Sequence, residues 1–306
     1  MRASLQALTD ELRRLKAGGV SALSVSEESL QRLRAVVAAR RPPQSADPLP
    51  AASASGPSRA ARLTPPAPEA MPPAKPPAPS LPPPPVVTLP ADGDKSARLA
   101  WLHDYVVNHP VVTANLRPGK RAVLGVGNPD AAVMFVGEAP GAEEEIQGEP
   151  FVGPAGQLLD KMIGAMGLQR GDVYIGNIMN WRPQLPNTPD GGEQIGNRPP
   201  TPEELAFCLP FLRAQIEIVR PRLLVALGST AAQGLLGPGS FTALGQVRGK
   251  WHDFNGKPAM VTYHPSYILR NNSNRSKRMI WEDLLKVMER ADIAISERQR
   301  GYFLGK

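Results

Sequence analysis

Between Arg41 and Pro90 the chain carries 18 of its 35 prolines, four of them consecutive at residues 82–85. Proline fixes φ and lacks a backbone donor, so such a stretch favours extended polyproline II and cannot pack a core. Of the 306 residues, the composition therefore assigns 42–94 to a disordered Pro/Ala-rich linker and 95–306 to one folded domain. Ahead of the linker, residues 1–41 read as a helical appendage. Leu5, Leu8, Leu12 and Leu15 share one helical face, and Leu30, Leu33, Val36 and Val37 share another. Two roles stay open for it, a frayed extension or a docking element for a protein partner.

Within the folded part, short apolar runs at 132–136, 174–177, 223–227 and 259–262 alternate with helical patterns at 95–108, 156–166, 202–219, 229–236 and 277–296. Thr201 and Glu204 form a capping box at the third helix. Strand, helix, strand in this rhythm predicts an α/β fold, a three-layer α/β/α sandwich around a short parallel four-stranded sheet. Ligands of such sheets bind beyond the carboxyl ends of the strands. The unusual clusters of this chain should therefore follow strands.

Charge and cysteine narrow the classes further. A formal net charge of +7 suits a polyanionic partner, because neutralising phosphates releases counterions. Arg270, Arg275, Lys277 and Arg278 lie between Ser266 and Arg278 with no acid among them. The single cysteine, Cys208, excludes a disulfide framework and any multi-cysteine metal site within the chain. No apolar run reaches the roughly 18 residues of a membrane span, and a cytoplasmic location, that of bacterial nucleoid proteins, is expected.

The clusters do follow strands. The first apolar run ends in Gly137-Glu138-Ala139-Pro140-Gly141, then Glu143, Glu144 and Glu145, then Gly148-Glu149-Pro150-Phe151-Val152-Gly153. Glycine and proline at this density make a tight loop whose backbone can approach a ligand. The second run delivers Asn177, whose side chain offers a donor and an acceptor in one plane, as a pyrimidine edge requires. The fourth delivers Tyr263-His264-Pro265-Ser266, with a ring donor beside it.

GEAPG, GEPFVGPAG, YIGN, RGKW and HPSYILR, in this order and spacing, resemble the family 4 uracil-DNA glycosylases over about residues 125–288. The resemblance implies an enzyme that flips uracil out of DNA and hydrolyses its N-glycosidic bond, leaving an abasic site for base excision repair. It implies uracil-containing DNA as partner, and Glu138, Phe151, Asn177 and His264 as the uracil-binding set. Glu144 and His264 match the catalytic positions, one for the attacking water and one for the uracil oxygen. Ala139 stands where family 1 relatives carry a catalytic Asp. Ser266, Ile268, Leu269, Arg270 and Lys277 match a minor-groove wedge with phosphate-binding charge. The alternative is a non-catalytic uracil- or damaged-DNA-binding protein of the same fold.

The chain departs from that family twice. Family 4 holds a [4Fe-4S] cluster on four cysteines, whereas here Trp181 occupies the third position and Cys208 alone remains. No cofactor is therefore expected, with Trp181 filling space in the cluster's place. Residues 183–200 are longer than the family pattern and rich in turn formers. Related proteins that capture uracil-bearing DNA covalently use a histidine, and this insertion has none, which favours turnover. Arg198 within it is expected near DNA or in solvent.

Overall fold

The computed structural model describes residues 81–185 and 193–304. The helical appendage at 1–41, most of the linker and residues 186–192 of the insertion lie outside the described residues. Helix α1 (Lys95–Val107) and the short α2 (Pro110–Ala114) precede the first strands, β1 (Val126–Gly127) and β2 (Val133–Gly137). Then come α3 (Ala142–Gln147), α4 (Pro154–Ala165), β3 (Tyr174–Asn177), α5 (Pro202–Val219), β4 (Leu223–Leu227) and α6 (Ser229–Leu236). The chain closes with β5 (Trp251–Phe254), β6 (Lys257–Thr262), α7 (Pro265–Arg270), α8 (Asn274–Arg290) and α9 (Glu297–Arg300).

The strands form one sheet in the order β1-β3-β2-β4-β6-β5. Its centre is the expected parallel set of four, β3, β2, β4 and β6. Two antiparallel edge strands, β1 on β3 and β5 on β6, extend it to six. Alternation explains the layers, since successive side chains of a strand point to opposite faces. Val133, Phe135, Ile175, Val225 and Met260 face one core with Leu159 and Ile163 of α4 and Trp281 and Leu284 of α8. Met134, Val136, Tyr174, Leu224 and Val261 face the other with Leu212 and Ile216 of α5 and Ala231 and Leu235 of α6.

Caps account for most helix starts. Thr201 accepts from the Glu204 amide at 3.2 Å while Glu204 accepts from the Thr201 amide at 2.7 Å, as the sequence predicts. The last long helix starts earlier than expected and ends sooner. Ser273 accepts from the Ser276 amide at 3.1 Å and fixes the start, and the left-handed φ of 58° at Asp292 stops it.

A third core cluster lies against α1 and α5. It holds Trp181, Cys208, Phe207, Phe211 and Met179, with Leu102 and Val106 of α1. Leu81, Val87 and Leu89, placed in the linker by composition, pack partly buried against it, so the last stretch of that linker is part of the folded body. The Trp181 and Phe207 rings lie 6.0 Å apart, and Phe207 and Phe211 meet edge to face at 6.0 Å. Removing a buried Trp leaves an indole-sized void, so Trp181→Ala should cost about 3–5 kcal/mol of folding free energy. Trp181→Phe should keep most of it, and urea unfolding midpoints of the two variants read the difference.

Candidate active site

A cavity of about 880 Å³ opens beyond the carboxyl ends of the parallel strands. Its walls include Glu138, Ala139 and Glu144 after β2, Phe151 before α4, Ser229 and Thr230 opening α6, and His264, Ser266, Leu269 and Arg270 around α7. Residues from four chain segments thus converge where a parallel sheet leaves its crevice.

The floor is set by Gly137, opposite Asn177 in the β2–β3 register. A Cβ at Gly137 would collide with the Asn177 amide oxygen and the Phe151 ring, so those two side chains close over the strand end. Phe151 is buried in the core and adopts a left-handed φ of 54°. The conformation is held from outside. Arg170 donates to the carbonyls of Pro150 at 2.6 Å and Phe151 at 3.2 Å, and a Cβ at Gly156 would strike the Phe151 carbonyl. Asn177 lies behind Phe151 rather than among the cavity's lining residues. Its Oδ1 is buried with no partner among the described residues. A buried acceptor left unpaired costs roughly 1–3 kcal/mol unless something supplies a donor.

His264 caps α7. Its Nδ1 accepts from the Ser266 amide at 3.2 Å and lies 2.9 Å from Ser266 Oγ, and Arg270 donates to that Oγ at 3.2 Å. An amide can only donate, so Nδ1 is unprotonated and the neutral ring carries its proton on Nε2. Burial, with a smaller push from the Arg270 charge, lowers its pKa from 6.5 to about 4. The imidazole stands 5.6 Å from the Phe151 ring at an interplanar angle of 30°.

The two acidic positions differ. Glu144 accepts from the amides of Gly141 at 3.0 Å, Val152 at 3.1 Å and Gly153 at 2.9 Å, and so fastens the glycine-rich loop at both ends. Glu138 lines the cavity, and burial raises its pKa, opposed by a hydrogen bond with Thr230.

The other predicted positions differ in exposure and partners. Ile268 is only 6% exposed and packs into the same core as Phe151 and Leu159, because successive residues of a helix are turned by about 100° around its axis. Its neighbour Leu269 is 51% exposed on the cavity wall. Arg198 is on the cavity wall, and its guanidinium holds both Glu204 oxygens at 2.7 Å. Lys277 does not line the cavity and sits partly buried on α8.

Sequence reasoning missed the residue that organises the insertion. Arg182 is buried, and its Nη1 donates to Glu145 Oε1 at 2.8 Å. Nε donates to Asn197 Oδ1 at 2.8 Å, and Nη2 to the carbonyls of Gln194 at 3.2 Å and Gly196 at 2.8 Å. The available signal was an arginine directly after the Trp181 position, the one charged residue between Asp172 and Asp190. RGKW also proves to be a brace. Arg248 donates to both oxygens of Asp283 at 2.9 and 2.8 Å, and Thr262 Oγ1 donates to the same carboxylate at 2.7 Å.

The residues present do not fit the iron-sulfur cluster that the resemblance implies. Its ligands are four thiolates, and the chain has one, Cys208. Burial pushes that thiol's pKa up, and its surroundings are Trp181, Phe207 and Phe211. Among the described residues no group of three or more His, Cys, Asp or Glu could hold a metal ion. No described helix is long and apolar enough to cross a membrane.

Comparison with known proteins agrees with this geometry. The family model of the uracil DNA glycosylase superfamily matches residues 124–285, more than half of the chain and all of its parallel strands. The chain is 47% identical to a type-4 uracil-DNA glycosylase of Thermotoga maritima over 165 residues, covering 54% of this chain and 80% of that protein. A type-4 enzyme of Archaeoglobus fulgidus is 45% identical, over 48% of this chain and 71% of that protein. A type-5 enzyme of Pyrobaculum aerophilum is 32% identical, over 56% and 75%. By the model match and these identities, the chain belongs to the uracil DNA glycosylase superfamily.

Proposed function

We propose that the protein is a uracil-DNA glycosylase that hydrolyses the bond between uracil and deoxyribose and leaves an abasic site. The observation that carries this reading is His264, a neutral ring with its proton on Nε2, on the wall of a cavity beside the Phe151 ring. Phe151 provides a face on which a flipped base stacks. The unpaired Asn177 oxygen supports a reading in which the N3–H of uracil is its missing donor.

The reaction breaks the C1′–N1 bond with both electrons leaving on uracil, so negative charge grows on its O2 while C1′ becomes cationic. A donor aimed at that oxygen strengthens only as the charge appears, which lowers the barrier rather than the ground state. His264 is suited to donate without giving up its proton, because its environment disfavours the charged ring. Water then attacks C1′ and passes its proton to the Glu144 carboxylate, and the departed uracil anion takes up a proton from solvent. A carboxylate has about four lone-pair positions, and the three amides on Glu144 leave one for that water. Its charge also faces the cationic sugar. Glu138 is the second carboxylate in reach of the cavity.

DNA is the partner this chemistry requires. Arg270, exposed at the cavity mouth, and the exposed Arg275 supply positive charge beside Leu269. The third core cluster, closed by aromatic and aliphatic side chains around Cys208, supports a fold that stands without the iron-sulfur group. Purified protein should then show no broad band near 400 nm and no stoichiometric iron.

Four outcomes test the reading. Wild-type protein should convert a uracil-containing oligonucleotide to an alkali-labile one, and failure to do so would leave only the DNA-binding alternative. His264→Ala should lower the single-turnover rate roughly a hundredfold or more, by loss of a transition-state donor. Glu144→Gln should lower it on the order of a hundredfold, as for a removed general base. The last outcome concerns pH. The folded pKa of His264, about 4, lies below the ordinary 6.5, so between those values the unfolded chain binds more protons than the folded one. Stability is fully present above 6.5 and declines as pH falls towards 4. Chemical unfolding at pH 7 and pH 5 should show this decline, and His264→Ala should flatten it.

A further inference from the structure

Ile195, in the insertion, is 84% exposed, yet its backbone is held on both sides. Arg182 Nη2 binds the carbonyl of Gln194 before it and that of Gly196 after it. The Gln194 side chain is buried and donates to the carbonyls of Pro183 at 3.0 Å and Gly196 at 3.2 Å, and it accepts from the Leu185 amide at 3.3 Å. Gly196 takes a left-handed φ of 89°, and the guanidinium itself is anchored to Glu145 on α3. A loose loop would fold an isoleucine back against the protein to escape water. In this loop the backbone is clamped with the side chain exposed.

The clamp also fixes the segment that Ile195 leads into. Gly196, Asn197 and Pro199 line the same cavity as His264 and Leu269, from a different chain segment. Leu269 on the cavity wall and Ile195, one residue before the lining segment of the insertion, are both exposed aliphatic residues. Proteins that open a duplex insert such side chains between base steps, and the cost of flipping is greatest when the base is stacked and paired. Resting on the uracil-DNA glycosylase reading, we propose that Ile195 is a second wedge, which enters the base stack beside the lesion and makes paired uracil accessible. Its occupant is duplex DNA flanking the uridine, and its effect is on extrusion rather than on bond cleavage.

The test compares single-turnover uracil release from a U·A duplex and from the same sequence single-stranded. Wild type, Ile195→Ala and Ile195→Leu are measured, with far-UV melting to verify the fold. Ile195→Ala should lower the duplex rate roughly tenfold more than the single-strand rate, since only the duplex pays for unstacking, and Ile195→Leu should restore most of that ratio. Equal losses on both substrates, or no change on either, would overturn the wedge while leaving the glycosylase reading intact. Wild type inactive on both substrates would overturn the reading and the wedge with it.

Discussion

The register of β2 on β3 sets Gly137 opposite Asn177, and the site is built around the space this pairing leaves. With no side chain at Gly137, the Phe151 ring and the Asn177 amide meet above the strand end. Gly156 repeats the device one helix later by letting α4 approach the Phe151 carbonyl. Phe151 can therefore hold a backbone conformation that costs a bulky residue of order 1–3 kcal/mol. The sheet in turn is fixed by two cores that its alternating side chains fill, so the geometry at the strand ends inherits the rigidity of the middle.

Two ion pairs, one buried and one partly buried, carry that rigidity out to the loops. Arg248 and Asp283 tie the segment before β5 to α8 and, through Thr262, to the end of β6 from which His264 emerges. The Arg248 guanidinium also lies 5.3 Å from the Tyr263 ring, which stacks on Tyr267 at 4.3 Å. On the other side Arg182 and Glu145 tie the insertion to the helix that contains Glu144. Buried pairs add little net stability but are costly to break, because one partner removed leaves a charge in a dry place. Their value here is positional.

Much of this was legible in the sequence. Four apolar runs located the parallel strands, and YIGN and LLVAL fell on their observed limits, because a strand buried on both faces has no polar interruption to blur it. The edge strands were missed for the converse reason. Val126–Gly127 is too short to show a period, and WHDF mixes polar and apolar residues as a half-exposed strand does. Phe151, Glu144, Leu269, Arg270 and His264 were legible as a set, and the structure brings them to one cavity. What sequence could not give was direction. Nothing local distinguishes Ile268, turned into the core, from Leu269 on the surface. Nor could the partners of Arg182 and Arg198 be read, since each is decided by residues on other segments.

The packing around Cys208 carries a consequence for how the protein comes into being. Trp181, Phe207 and Phe211 are part of the polypeptide as it leaves the ribosome, so the wall they form needs no delivery, insertion or protected handling. Hydrocarbon and indole are also indifferent to dioxygen under conditions that dismantle exposed inorganic sulfide. Packing of this kind does not depend on a supply of iron or on protection from oxidants.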